Sequence, residues 1–216
     1  MFDQSFLLTL PHAVRLSDGT VDRNDARLQL QWNGAVCQTV LKNIGSKTLC
    51  IREVALFYGR FPIAADCPFH SEGYHMLTQH GGTLAEPRVI GKYGHDENFF
   101  SLEKSPFAPD TYTSYNYLLL SPTQVDRILM GFTSCFRFQS EFRFKDNYIE
   151  IVLDCENLTL QPDETWRLEE FCVLTGDRAA VFARFADLIL KNHPRRRYPF
   201  MPNGWCSYHS ISGIKA

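Results

Sequence analysis

No stretch of the chain approaches the ~20 consecutive apolar residues that a membrane-spanning helix needs, so no membrane partner is expected. A basic excess is missing as well. The formal net charge is -2 with 21% charged residues, which leaves no positive field to concentrate nucleic acid or anionic lipid. Cysteine pairing motifs are also lacking: Cys37, Cys50, Cys67, Cys135, Cys155, Cys172 and Cys206 contain no CxxC spacing, and seven cannot close a disulfide framework. A reducing compartment and a cytoplasmic location follow as expectations. The N-terminal MFDQSFLLTLPHAV carries Asp3 instead of a basic head and breaks at Pro11 without a small-residue cleavage site, so it is unlike a secretory signal and reads as a first strand. The sequon Asn157-Leu158-Thr159 is then expected to stay unused. Internal repeats and low-complexity segments are absent, which excludes solenoids and biased linkers.

What is present is apolar and aromatic. A chain of 216 residues with 44% hydrophobic content can bury a core, and its length suits one large β domain or one domain with a piece of another. Aromatic residues make up 13%, led by 17 Phe and 9 Tyr; flat rings pack on pleated surfaces, so this favours sheets over a helical bundle.

The pattern along the chain agrees. DARLQLQW and AVCQTVLKN alternate on either side of Asn33-Gly34, and TLCIREVALF follows Asn43-Ile44-Gly45-Ser46. Period-two alternation interrupted by Asn-Gly predicts a hairpin, because both residues tolerate the positive φ of a type I′ turn. From Gly59 to Asp110 periodicity fades and Pro, Gly and His gather; a loop-rich stretch this long inside a folded domain points to contacts with a ligand or a neighbouring domain. Strands resume as NYLLLS, VDRILMGFTSC, FRFQSEFRF, YIEIVLD and TWRLEEFCVL, with a bulge or face exchange expected near Ser140 and a tight turn at Leu160-Gln161-Pro162-Asp163-Glu164. After Gly176 the period changes: Asp177 can cap RAAVFARFADLILKN, which places Phe182, Phe185, Ala186, Ile189 and Leu190 on one helical face and ends before Pro194. The run Arg195-Arg196-Arg197 sits where it complements the helix dipole and solvates a linker.

The segment Pro202-Asn203-Gly204-Trp205-Cys206-Ser207-Tyr208 resembles the first barrel strand of glycoside hydrolase family 36, the α-galactosidase and raffinose-synthase-like enzymes, where a proline precedes Gly-Trp-Cys-Ser-Trp. The order of strand-like segments, one helix and this motif is similar to that family too. So are Leu41-Lys42-Asn43 with Gly45-Ser46, and the turn and strand from Gln161 to Glu169. Ser71-Glu72-Gly73-Tyr74-His75-Met76-Leu77 resembles a loop that reaches the barrel mouth in these enzymes, although Met76 and Leu77 replace its Ser and Trp, which leaves Tyr74 as the aromatic candidate.

The resemblance implies a mainly β fold: a large antiparallel two-sheet β-sandwich, supersandwich-like, over residues 1–175. A linker helix and basic linker would follow over 176–201, then the truncated start of a (β/α)8 barrel over 202–216, a short orphan strand in this chain. It implies a retaining hydrolase with a nucleophile and an acid/base carboxylate ~5–5.5 Å apart and no metal or organic cofactor. In the family the nucleophile lies downstream of the Gly-Trp-Cys-Ser segment, in a Lys-x-Asp motif. Neither carboxylate carries over to a position here, so no catalytic residue is assigned and the chain is expected to be inactive alone. The substrate-binding candidates are Asp66, Glu72, Tyr74, Trp205 and Tyr208, the last standing where Trp is usual. Asp96 and Glu97 are further loop acids that could bond sugar hydroxyls or simply be solvated. Trp205 suits a pocket wall and a core position equally. Cys206 and Ser207 lack a recognisable base, and the spacing of Cys67, His70, His75 and His80 fits no zinc motif, so they read as polar loop residues. The expected partners are galactosides bound at most weakly, the missing catalytic barrel, and a second copy through the tail containing Phe200, Met201 and Trp205. Alternatively, the chain is a free-standing carbohydrate-binding or dimerising sandwich module.

Overall fold

Gly34 and Ala35 form the tip of a hairpin in the computed structural model, with Gly34 at φ 58° and Asn33, the last residue of the incoming strand, paired with Val36. Asn33 keeps a negative φ, so the hairpin forms where expected but not through a type I′ turn centred on Asn33-Gly34. The structure describes residues 4–74, 78–91, 103–105 and 108–196. In chain order the elements are α1 (Gln4–Leu7), β1 (Ala13–Leu16), β2 (Val21–Asp22), β3 (Ala26–Asn33), β4 (Val36–Asn43), β5 (Leu49–Arg60), β6 (Phe69–Glu72), β7 (Gln79–Gly82), β8 (Pro87–Gly91) and β9 (Glu103–Ser105). They continue with β10 (Ala108–Leu120), β11 (Arg127–Phe132), β12 (Gln139–Lys145), β13 (Tyr148–Leu160), β14 (Thr165–Arg167), β15 (Phe171–Gly176) and α2 (Arg178–Asn192).

All strand pairings are antiparallel, and one hydrogen-bonded path runs β14-β4-β15-β11-β10-β12-β13-β5-β1-β2. The path folds on itself at β10. Residues Tyr112 to Tyr115 pair with β12, whereas Tyr117 to Leu120 pair with β11; on the opposite edge β9 gives way to β6 at the same point. The result is a mainly β, sandwich-like fold in which the two layers are halves of one continuous sheet. Rings from opposite layers close the core: Phe57 of β5 meets Phe171 of β15 at 5.8 Å, Phe132 of β11 meets Phe142 of β12 at 5.8 Å, and Phe69 of β6 stands edge-on to Phe144 of β12 at 4.9 Å. Such pairs add roughly 0.5–1.5 kcal/mol each beyond their burial.

Helix α2 covers the outer face of the β10–β11–β15 layer. Its Val181 and Phe185 pack with Tyr117, Leu119, Leu129, Cys172 and Leu174. A Cβ on Gly131 would lie 2.7 Å from the Phe185 ring, so glycine is what lets the helix seat this closely. Asp177 caps the helix by accepting from the Ala180 N–H at 3.0 Å, and Asn192 ties its far end to the Thr133 carbonyl at 3.1 Å and to Glu170 at 2.9 Å. The cap is as expected. Of the expected face Phe182, Phe185 and Ile189 pack inward, whereas Ala186 is exposed and Val181, outside that expectation, is fully buried. Among the described residues no helix is long and apolar enough to cross a membrane.

The outer face of the other layer holds charge. Arg143, between core residues Phe142 and Phe144, points away from the core and forks onto Glu53 at 2.9 and 2.8 Å, with its Nε on Glu141 at 2.9 Å. Arg15 bonds Glu53 and reaches Glu150 at 3.1 Å, and the Tyr148 hydroxyl donates to Glu150 at 2.8 Å. The Arg143 and Glu53 side chains are 2% and 0% exposed. Burial acts to raise the Glu53 carboxyl, but the Arg143 and Arg15 guanidiniums overcome it and hold the group below the ordinary carboxylate range. Glu141 has weaker cation support: burial raises it, Arg143 offsets part, and the negative charges of Asp154 and Glu53 add to the rise.

Three further expectations are corrected. In the N-terminal segment Gln4–Leu7 form the helical turn α1 where a strand is expected, because Phe6 and Leu7 fold back onto the core, Phe6 meeting Phe61 at 5.4 Å. The strand β1 takes in only the last residues of that segment, Ala13 and Val14. No bulge falls at Ser140: β12 pairs with β13 in unbroken register, and Phe136 and Phe138 belong to the preceding loop. The stretch from Gly59 to Asp110 contains β6 to β9 and the start of β10, strands too short or too polar to show alternation. The orphan strand over residues 202–216 lies outside the described residues.

The charge cluster makes a ranking. Removing one partner of a buried pair costs about 3–5 kcal/mol, so Glu53→Gln should lose that much in urea unfolding at pH 7, and Glu141→Gln distinctly less. Equal losses would contradict the assignment of Glu53 as the centre of the cluster.

Candidate functional site

The change of neighbours along β10 shapes a cleft. The β6 pairing slips between Tyr115 and Leu118, and Asn116, inside that bulge, adopts φ 63°. Few non-glycine residues tolerate this left-handed conformation, and asparagine is among them. The bulge turns Asn116 outward, where its Nδ2 donates to Glu72 Oε2 at 2.9 Å. Tyr117 is buried beside it and its hydroxyl bonds His70 Nδ1 at 2.9 Å. Burial pushes the Tyr117 phenol up, with the charge of Glu72 adding to the rise. Burial likewise lowers His70, opposed by a bond to Gln79 and reinforced by Arg178.

The opposite wall is built by Glu169. Its carboxylate accepts from the Ser134 hydroxyl and from the backbone N–H groups of Phe136 at 3.0 Å, Arg137 at 2.7 Å and Phe138 at 3.1 Å. Burial would raise this carboxyl, but these donors outweigh it and hold it below its usual range. The carboxylate thereby fixes the 133–138 loop against the C-terminal end of α2. There His193 accepts the Cys135 N–H at 3.3 Å and lies 4.7 Å from the Phe136 ring.

Between the bulge, this loop and α2 opens a cleft of about 420 Å³, lined by Glu72, Asn116, Ser134, Ser140, Phe182 and His193 among others. Glu72 is the one carboxylate among its described lining residues. The carboxylate pair of a retaining glycosidase is therefore not assembled from them. Glu53, Glu141 and Glu150 lie close together but are engaged by Arg143 and Arg15.

Of the sequence candidates, Glu72 lines the cleft. Tyr74, 71% exposed, stands two residues further along with its ring edge-on to Tyr115 at 5.4 Å. Asp66 lies beyond the other end of β6 and lines a separate groove with Ser121 and Thr123, so it shares no site with Glu72. Trp205, Tyr208, Cys206, Ser207, Asp96, Glu97 and His75 are outside the described residues. His70 and His80 are engaged with Tyr117 and Ser114, and among the described residues no group of three or more His, Cys, Asp or Glu could hold a metal. The six described cysteines are unpaired thiols. Sequence reading missed Asn116, Ser134, Ser140 and His193. They come from separate strands, a loop and a helix end, and the one local signal was the αL tolerance of Asn116.

No protein-family model matches the chain, and no curated protein matches it. Among solved structures, it is similar to an α-galactosidase from Thermus thermophilus in complex with p-nitrophenyl α-D-galactopyranoside, with a TM-score of 0.41 and 16% identity. The likeness covers 85% of this chain and 35% of that one, so the chain spans about a third of that enzyme's length.

The β6–β7 hairpin behind the cleft carries a titratable group. His80 is 1% exposed, its Nδ1 bonds Ser114 Oγ at 2.9 Å, and its Nε2 has no partner. A Cβ on Gly73 would lie 3.2 Å from that Nε2, so the ring is closely packed. Burial, with a smaller contribution from His70, lowers His80 from 6.5 to about 4. A histidine with a depressed folded pKa contributes stability that is present above pH 6.5 and lost as pH falls toward 4. His80→Gln should therefore flatten the pH dependence of unfolding in that window, where the parent loses up to about 3 kcal/mol. Parallel curves for the two proteins would overturn the assignment.

Proposed function

We propose that this chain is the non-catalytic sandwich part of an α-galactosidase-like retaining glycoside hydrolase, which supports a catalytic barrel and lends a loop to its galactoside site. The observation that carries this reading is spatial. The loop similar to the family's barrel-mouth loop, with Glu72 and Tyr74, opens beside the C-terminal end of α2, because Glu72 and His193 line one cleft. From His193 the chain runs on toward Gly204-Trp205-Cys206-Ser207, the segment similar to the family's first barrel strand. In this reading the lent loop and the chain exit share one edge of the sandwich.

The lining of the cleft supports a non-catalytic role, since among its described residues Glu72 has no second carboxylate beside it. In this reading residues 1–175 are the sandwich, 176–201 the linker, and 202–216 the first piece of the barrel. Tyr74, Glu72, Trp205 and Tyr208 would contact sugar only once a barrel is in place. Asp66 would not share that contact, being at the far end of β6. The unpaired thiols fit a reducing, cytoplasmic setting. Self-association through the apolar tail is part of the same proposal, to be read from sedimentation.

The test is a p-nitrophenyl α-galactoside assay on the purified 216-residue chain. The reading expects no turnover above buffer, and galactose, melibiose and raffinose binding no tighter than about 1 mM by calorimetry. Turnover that co-purifies with the chain would overturn it.

A further inference from the structure

A long, undefended edge strand is a template for another strand. Among the described residues five strands have one neighbour each: β2, β3, β8, β9 and β14. Four of them are poor templates. β2 has two residues, β9 and β14 have three each, and β8 begins with Pro87 and breaks register against β7. β3 differs: it runs eight residues in unbroken register with β4, without proline or bulge, and Arg27 near one end is its single charged residue.

The apolar row of β3 is also unfinished. On β4 Cys37, Thr39 and Leu41 are fully buried, whereas Trp32, Leu30 and Leu28, directly across from them, are half-buried. The core thins out over β3, and one more strand would cover it. The Nε1–H of Trp32 is buried and has no partner. Asn33 and Val36 close a two-residue turn as a hydrogen-bonded pair, so the backbone groups of Gln31 and Gln29 face β4 and those of Trp32, Leu30 and Leu28 face outward.

The residues of the edge select its partner. Leu28-Gln29-Leu30-Gln31-Trp32 reads almost alike in both directions about Leu30. Two antiparallel copies centred there pair Leu30 with Leu30, Leu28 with Trp32 and Gln29 with Gln31. Arg27 then faces Asn33, so no like charges oppose each other. The contact is two-fold and self-complementary, and it joins the two apolar rows into one.

We propose that β3 is a homodimer interface, in which the free edges of two copies pair antiparallel about Leu30. It does not rest on the family reading and uses no residue of the C-terminal tail. Asn33 and the α2 residues Lys191 and Asn192 line one groove, so each helix end lies by its own hairpin tip. In the dimer those tips stand about 20 Å apart, at ~3.4 Å per residue of paired strand.

The test is sedimentation velocity on the 216-residue chain from about 5 to 200 µM. One strand per copy makes a small interface, so the parent should dimerise with a Kd of about 10–100 µM. Gln29 and Gln31 are exposed, so substitutions there spare the core. Gln29→Lys/Gln31→Lys sets lysine against lysine and should weaken the dimer at least tenfold. Gln29→Lys/Gln31→Glu sets lysine against glutamate and should dimerise at least as tightly as the parent. Circular dichroism melts check that both variants fold. Should either fail, hydrogen exchange on the parent decides, because protection of the Leu28, Leu30 and Trp32 amides should grow with protein concentration. A chain that stays monomeric, a dimer indifferent to both variants, or equal weakening by both would each overturn the proposal. So would protection of those amides that is independent of concentration, the mark of the chain's own C-terminal segment lying on β3.

Discussion

Between Tyr115 and Tyr117, strand β10 exchanges β12 for β11 on one edge and β9 for β6 on the other, and Asn116 absorbs the change at φ 63°. A strand shared by two layers must bend. A bend in the middle of a ladder leaves one residue unpaired and in a sparsely populated conformation. Everything near the cleft follows from that residue: Asn116 is turned out of the sheet, Glu72 is brought beside it, and Tyr117 becomes a floor on which α2 can rest. Because the layers are one hydrogen-bonded sheet, the bend also sets how Phe57, Phe132 and Phe69 meet Phe171, Phe142 and Phe144 across the core.

The outer faces of the two layers are dressed differently. One is covered by α2, seated closely because Gly131 has no side chain. The other carries Arg143, Glu53, Arg15, Glu141 and Glu150. Buried ion pairs are weak evidence for stability, since desolvation cancels much of their attraction. Their strength is in register: slipping β12 against β13 by one residue would send Arg143 into the aromatic core and Phe142 out of it. The same logic, with a carboxylate and backbone donors, holds the 133–138 loop on Glu169.

The strong periodic segments were legible in the sequence. The β3–β4 hairpin, β5, β11, β13 and the capped helix α2 are local, and each announces itself through alternation or helical spacing, although the hairpin turns at Gly34-Ala35, one residue later than the Asn33-Gly34 signal suggests. The first half of β10 was not legible, because TYTS carries too little apolar alternation to read as a strand. The short strands β6 to β8 owe their existence to partners rather than to propensity. At the cleft, Glu72 was singled out through resemblance of one loop, while Tyr74 of the same loop is not among the lining residues. Ser134, Ser140 and His193 could not be found, since only the folded chain brings three such distant positions to Asn116.

The most direct measurement compares two substitutions at that bend by urea unfolding. Asn116→Gly keeps the left-handed backbone accessible and should leave stability within about 1 kcal/mol of the parent. Asn116→Val, whose branched side chain opposes positive φ, should cost about 1–3 kcal/mol more. Equal stability of the two variants would mean that β10 does not need its left-handed residue, and that the shared strand is not what organises the fold and its cleft.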